Sequence, residues 1–380
     1  MDLDRSWPRP QAAYVHVPFC RHRCGYCNFS VLAGRDDLAD SFLNALAWEL
    51  SQLGTPRPVE TLFIGGGTPT HLPPQWLGRM LELVTTWLPV AEQGEFSVEA
   101  NPGDIDAERL RVLQDFGVNR ISLGVQSFAS EKLRVLQRDH DHAIASRAIE
   151  AAAATIGNVS IDLIFAAPDE TPQQWLGDLR TAFQLPIRHL STYALTYEKG
   201  TQFWTRRAKQ ELHNADEAVE LEMYQQARSL AADAGLPQYE ISSFAAPAAR
   251  CRHNLHYWEG RGWHAFGPGA AGFVDGCRAT NHRSPTQYIR RCLQGDSPVA
   301  EREPITAVQW ASERAAFGVR RIDGVDLNTI QMETGVDVEQ LRRDKIAECL
   351  QWELVTLTRG RLRLTEKGIP LADTVSSALL

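Results

Sequence analysis

The stretch Tyr14-Val15-His16-Val17-Pro18-Phe19-Cys20-Arg21-His22-Arg23-Cys24-Gly25-Tyr26-Cys27-Asn28-Phe29 places three cysteines, Cys20, Cys24 and Cys27, in a C-x3-C-x2-C spacing directly after a β-rich run. It supplies three thiolates, not four. A [4Fe–4S] cluster has four irons, each wanting a terminal ligand, usually a cysteine thiolate. Three protein ligands leave one iron open to a small molecule. A structural zinc site closes with four Cys or His ligands. His16 and His22 are near, but such sites present ligands as two pairs and no second C-x2-C exists. The seven cysteines (20, 24, 27, 251, 277, 292 and 349) are odd in number, and no export signal precedes them, which argues against a disulfide framework.

Outward from this stretch, short β-rich runs alternate with amphipathic helical patterns over residues 11–235. Strands are expected at Ala13–Val17, Thr61–Ile64, Glu95–Val98, Arg120–Gly124, Val159–Phe165 and His189–Leu195. Helices are expected at Leu38–Leu53, Gln75–Leu88, Asp106–Phe116, Ala143–Thr155 and Gln173–Phe183. Asp104 and Thr171 stand where N-caps would, and Pro74, Pro102 and Pro172 mark boundaries. Six β-then-α units predict an α/β fold with a parallel sheet, a partial (β/α)6 barrel. A further helix at Asp216–Ala234 ends on Gly235-Leu236-Pro237, a C-cap glycine followed by a stop. Residues 236–300 are aromatic- and glycine-rich, with few regular elements to assign. Residues 301–380 read as helices followed by a polar hairpin, Val355–Thr365 around Arg359-Gly360, a small helical, winged-helix-like C-terminal domain.

The 380 residues carry 43% hydrophobic and 23% charged side chains, ordinary for a globular protein. A formal net charge of −8 and a pI near 5.8 give no electrostatic case for a nucleic-acid partner. The N-terminus, Met1-Asp2-Leu3-Asp4-Arg5-Ser6-Trp7-Pro8, lacks the apolar core of a signal peptide, and no apolar run reaches the length of a membrane span. A cytoplasmic protein is expected.

Gly65-Gly66-Gly67-Thr68-Pro69 follows the second expected strand, where glycines let backbone N–H and C=O groups approach a ligand closely. Taken alone such a run is more often a turn. Glu99, Gln126 and Asp162 recur at or near the ends of successive strands, where α/β barrels build their sites. Singly, each would more often be an ordinary strand-end polar group; their recurrence points to a rim. Asp162 sits in the apolar run Val159–Phe165, and a carboxylate buried there must be paired or hydrogen-bonded. Arg138 is a candidate clamp for a carboxylate, against the plainer reading of a solvated helix charge.

The cysteine spacing, with Tyr26 just before the third cysteine, resembles the radical S-adenosylmethionine (SAM) signature, in which the open iron chelates the amino and carboxylate groups of SAM. The strings Tyr14–Cys20, Gly65–Pro69, Val98–Pro102, Leu123–Phe128 and Ile161–Ile164 together resemble the oxygen-independent coproporphyrinogen III oxidase family, over nearly the whole chain. That resemblance implies SAM contacts at Tyr14, Gly66, Gly67, Thr68, Glu99, Gln126, Arg138, Asp162 and Ala194. It implies cluster ligands at Cys20, Cys24 and Cys27. The branch with dehydrogenase activity carries a fourth cysteine where this chain has Phe29, and a longer N-terminal extension than the 19 residues preceding Cys20. His253-Asn254-Leu255-His256-Tyr257-Trp258 instead resembles the H-N-x-x-Y-W motif of the haem chaperone (HemW) branch. The implied function is to bind haem, with His253 as a ligand, and to deliver it to an acceptor hemoprotein, with a membrane-associated acceptor among the candidates. The resemblance implies no dehydrogenase activity. The other reading is oxidative decarboxylation of coproporphyrinogen III in porphyrin biosynthesis. His256, His264 and Cys251 are alternative haem ligands, and Asn254 is within sequence reach of the second nitrogen of His253. Where the family often has a His after Gly-x-Gly-Ala, this chain has Ala271.

Overall fold

Six parallel strands lie side by side in chain order: β1 (Ala12–Val17), β2 (Val59–Gly66), β3 (Val90–Ala100), β4 (Arg120–Gln126), β5 (Val159–Phe165) and β6 (His189–Ala194). They are seen in a computed structural model that describes residues 7–380. Most of the N-terminal stretch read for an export signal, Met1 to Ser6, lies outside the described residues. Parallel strands covered on both faces need near-continuous apolar runs, and β5, Val-Ser-Ile-Asp-Leu-Ile-Phe, is buried at every position but Asp162.

The covering helices are α1 (Ala39–Ser51), α2 (Pro74–Trp87), α3 (Ala107–Asp115), α4 (Ser130–Val135), α5 (His142–Thr155) and α6 (Pro172–Ala182). On α1, Phe42, Leu43, Leu46 and Leu50 recur at helical spacing and are all buried, the apolar stripe a core-facing helix needs. Thr171 caps α6 in a reciprocal capping box with Gln174, as expected. Asp104 does not cap α3. The helix begins later, and Asp106 accepts the backbone N–H of Arg109 at 2.7 Å. Asp104 belongs to the single turn Pro102–Asp104, where it is buried and ion-paired to Arg21 at 3.1 Å.

Helices α7 (Gln202–Ala208) and α8 (Glu217–Asp233) lead to the segment in which few regular elements are legible from sequence. It contributes β7 (Gln238–Glu240), β8 (Ser243–Ala245), α9 (Arg252–Trp258), β9 (Trp263–Phe266), β10 (Ala271–Val274), β11 (Cys277–Asn281), α10 (Pro285–Leu293) and β12 (Val299–Pro304). These strands extend both edges of the same sheet, giving the twelve-strand order β12-β11-β10-β9-β1-β2-β3-β4-β5-β6-β8-β7. β9 runs parallel to β1, with Ala13 opposite His264, and β8 runs antiparallel to β6. At three to six residues each, they are too short for a two-residue periodicity to stand out.

After α11 (Ala307–Gly318) comes β13 (Val325–Asp326), followed by α12 (Leu327–Thr334), α13 (Val338–Leu341) and α14 (Arg343–Gln351). The hairpin β14 (Val355–Thr358) and β15 (Arg361–Leu364) precedes α15 (Ala372–Leu379). β15 pairs with both β13 and β14. The hairpin turns on Arg359 at φ 54° and Gly360 at φ 79°, the two positive angles a tight primed turn requires. Among the described residues no helix is long and apolar enough to cross a membrane.

Candidate cofactor site

The cysteines lie on the loop leaving β1, clasped by a two-residue parallel pairing of Phe19–Cys20 with Leu32–Ala33. The loop turns tightly, with the Cys27 N–H donating to Cys24 O at 3.0 Å. All three thiols are free and line one cavity of about 150 Å³. Gly66, Gly67, Thr68, Glu99, Gln126, Arg138 and Asp162 line it too. Seven of the nine positions implied as SAM contacts are therefore drawn together with the three cysteines.

The glycine loop is fixed by sterics. Gly66 has φ +102°, and a Cβ there would stand 2.3 Å from His16 Nδ1. A Cβ on Gly65 would meet Glu99 Oε2 at 2.5 Å, and one on Gly67 would meet Phe19 O at 2.6 Å. The bare backbone can then sit against the cysteine loop, with Gly67 N–H donating to Val17 O at 2.8 Å and Thr68 N–H to Phe19 O at 2.7 Å. Thr68 Oγ1 lies 3.6 Å from Cys20 Sγ.

Two carboxylates line the cavity from strands on either side of β4, Glu99 from β3 and Asp162 from β5. Glu99 Oε2 accepts the Gly66 N–H at 2.8 Å, yet burial pushes its carboxyl up to about 7, with Asp162 adding to the rise. Burial likewise raises Asp162 to about 6, opposed by Ser191 and Arg120. Ionised, both need a cation. Gln126 ends β4 at φ 66°, where the register to β5 shifts, a strained left-handed geometry of the kind held at functional sites.

Arg138 is a half-buried guanidinium engaged by the fold, not the solvated helix charge of the plainer reading. It donates to Gly124 O at 2.7 Å and Asn101 Oδ1 at 2.5 Å, and reaches Cys24 Sγ at 3.6 Å, while its Nε has no partner. Asn101, which sequence reasoning passed over, also donates to Thr68 Oγ1 at 2.8 Å and so joins the clamp to the glycine loop. Its signal was its place in the quoted run Glu99-Ala100-Asn101-Pro102. Arg120 was also missed, and His22 was weighed only as a zinc ligand. His22 bonds Gln137 O beside Cys24, and Arg120 is fully buried with its Nε unpartnered.

The residue set fits a cluster with SAM beside it. Burial pushes the Cys20 thiol up to about 12, so a thiolate there needs metal charge close by. No three His, Cys, Asp or Glu side chains among the described residues converge on one point where a single ion would sit. The thiols are spread around one cavity instead, as ligands to different irons must be. The unpartnered Arg138 Nε and the two high carboxyls match the carboxylate and the cationic groups of SAM.

Tyr14, Ala194 and His253 lie elsewhere. Tyr14 donates from or accepts at its hydroxyl to His16 Nδ1 at 3.1 Å and lines a second cavity of about 160 Å³, which shares Glu99 and Asp162 with the first. Ala194 lines a separate cleft of about 780 Å³ between β6, α8 and residues 369–373. His253 also lines the 160 Å³ cavity and is 1% exposed, stacked on Phe63. Its ring partner is Thr61 Oγ1 at 3.0 Å, not Asn254, and its Nε2 is unpartnered. Burial drives its pKa down to about 3. His256 Nε2 is engaged by Gly262 O at 2.9 Å, and Cys251 is fully buried against Glu95.

Two sequence-family models match the chain: the radical SAM superfamily over residues 14–182 and the HemN C-terminal domain over residues 305–371. The chain is 33% identical to a heme chaperone HemW of Bacillus subtilis, over 97% of this chain and 99% of that protein. It is 34% identical to the HemW of Mycobacterium tuberculosis strain H37Rv (98% and 95% covered) and 38% identical to that of Escherichia coli (74% and 76% covered). Among solved structures, coproporphyrinogen III oxidase from Escherichia coli superposes with a TM-score of 0.86 at 22% identity, covering 99% of this chain and 91% of that one. That likeness shows the fold.

Proposed function

Because the chain belongs to the radical SAM superfamily and, within it, to the HemW family, we propose that it binds haem and hands it to an acceptor hemoprotein. Cys20, Cys24 and Cys27 hold a [4Fe–4S] cluster in this reading, and Gly66, Gly67, Thr68, Glu99, Gln126, Arg138 and Asp162 seat SAM. The observation that carries the cofactor assignment is the cavity shared by the three free thiols, the Arg138 guanidinium with its unpartnered Nε, and the Glu99 and Asp162 carboxyls.

When bound, a cluster of this kind supplies an open iron and an electron to the sulfonium of SAM. The chain's own residues do the rest. Arg138, held by Asn101 and Gly124, orients a carboxylate beside Cys24. The backbone of Gly66 and Gly67, which lines the cavity, and the Glu99 carboxylate receive an ammonium. Asp162, on β5 across β4 from Glu99, faces the remainder of the nucleoside. Phe29, 60% exposed at the mouth of the cavity, brings no fourth thiol where the dehydrogenase branch has one.

The reconstituted protein, assayed anaerobically, should bind haem and should not turn over coproporphyrinogen III. Conversion of coproporphyrinogen III with consumption of SAM would replace the chaperone reading with the dehydrogenase one.

A further inference from the structure

A cavity of about 580 Å³ shares no residue with the cysteine cavity. The residues leading into β1, the C-terminal end of α1 and the strands β9 to β12 enclose it. Its floor is made of small residues: Gly272 of β10 lies opposite Ala279 of β11, which lies opposite Arg302 of β12. On a strand, residues two apart share a face, so Cys277 and Ala279 point the same way, and both line the cavity. Trp7 and Phe266 give it aromatic wall.

Its polar equipment is unusual. Arg9, Arg57 and Arg302 all line it; none is ion-paired among the described residues, and Arg57 spends one N–H on Leu53 O at 3.4 Å. Of the two carboxylates that line it, Glu49 is already occupied by Tyr288, Asn281 and the Gly267 N–H, and Asp275 is exposed at the rim, one negative charge against three guanidiniums. His264, half-buried in the wall, makes no hydrogen bond from its ring to any described residue. Burial, helped by Arg57 and Arg9 and opposed by Asp275, lowers its pKa to about 4, leaving the imidazole neutral and its lone pair available.

We propose that this cavity is the haem seat, with His264 as the iron ligand and the guanidiniums of Arg9, Arg57 and Arg302, which have no carboxylate partner, receiving the propionates. The ligand chemistry is that of a flat apolar macrocycle carrying a metal and two carboxylates. Small-molecule pockets run to roughly 300–1,000 Å³, and this one falls within that range. The 160 Å³ cavity at His253 does not. The 780 Å³ cleft is large enough but carries Glu217, Glu220 and Asp373, and its one guanidinium, Arg320, is already paired to Asp373. It offers no His or Cys.

The inference rests on the haem-binding reading, and one titration separates the two. Full-length protein with its cluster reconstituted is titrated with hemin and followed by the Soret band, for wild type, His264→Ala, Ala279→Phe and the double variant Arg57→Glu/Arg302→Glu. Iron content and far-UV circular dichroism establish that each is folded. The expected result is a shifted Soret band in His264→Ala and at least a roughly tenfold weaker affinity in each variant, the order of effect of losing a charge-assisted or coordinating contact. Folded His264→Ala with the wild-type spectrum and affinity overturns the seat, as does unchanged binding in Ala279→Phe. A wild type that does not bind hemin at all removes the haem-binding reading instead.

Discussion

Glu95 Oε1 accepts the backbone N–H of His253 at 3.1 Å, and its Oε2 accepts that of Arg252 at 2.8 Å. This one carboxylate on β3 therefore satisfies two of the first-turn donors that every helix leaves unpaired, here on α9, more than 150 residues along the chain. The motif His253–Trp258 is held in the barrel interior by this contact and by Thr61.

Glu95→Ala should accordingly destabilise the protein. Leaving a buried N–H unpartnered costs about 1–3 kcal/mol, and two are affected. Glu95→Gln keeps one acceptor oxygen and should lose less. Thermal denaturation of the two variants checks the order; equal melting temperatures for Glu95→Ala and wild type would contradict it.

On the proposed assignment of the cluster to the three cysteines, anaerobic reconstitution should yield about four iron and four sulfide per chain. Replacing Cys20, Cys24 and Cys27 together by Ala should abolish the brown chromophore. Full iron content in that triple variant, or one zinc in its place, would refute the assignment.

SAM binding should depend on pH through Glu99 and Asp162. Their carboxyls titrate near 7 and 6 in the folded protein, raised from 4.5 and 3.8 by burial. For an acid whose pKa rises on folding, the contribution to stability is greatest below the unfolded pKa and is lost as pH climbs through the folded one. The ligand-free protein should thus lose stability between about pH 4 and 7. A cationic ligand prefers the ionised carboxylates, so its affinity should increase over the same window. Glu99→Gln should flatten that dependence and weaken SAM roughly ten- to a hundredfold, the loss of a charge-assisted bond worth about 1.5–3 kcal/mol. Calorimetric titration at pH 5.5 and 8 reads both effects, and equal affinities in wild type would count against the carboxylates as SAM contacts.

Gly66→Ala should fail at the same site by a different route. The new Cβ would enter the ring of His16 at a backbone angle that L residues rarely adopt, a strain of order 1–3 kcal/mol. SAM affinity should fall while the cysteines, which stay in place, still take up iron. A variant that binds SAM normally would show that the loop can yield.

The sequence by itself determined the central sheet and the chemistry of the rim. Val159–Phe165, apolar but for Ser160 and Asp162, reads as a buried strand, and Asp162, recurring with Glu99 and Gln126 at successive strand ends, points to the rim. Thr171-Pro172-Gln173-Gln174 dictates its own capping box, because every partner lies within one turn. Three cysteines at fixed spacing carry their ligand count with them. Local signals of this kind need no knowledge of what lies across the fold. The tertiary structure alone decided the rest. Asp104 reads as a cap but is claimed by Arg21, some 80 residues earlier in the chain, and β9 to β12 are too short to announce themselves yet gain their hydrogen bonds from β1 and from one another. His253 and His264 are both single histidines among aromatics in the sequence. Long-range packing buries the first against Thr61 and Phe63 and leaves the second on the wall of an arginine-rimmed cavity, because burial and pairing depend on which distant strands the sheet brings alongside.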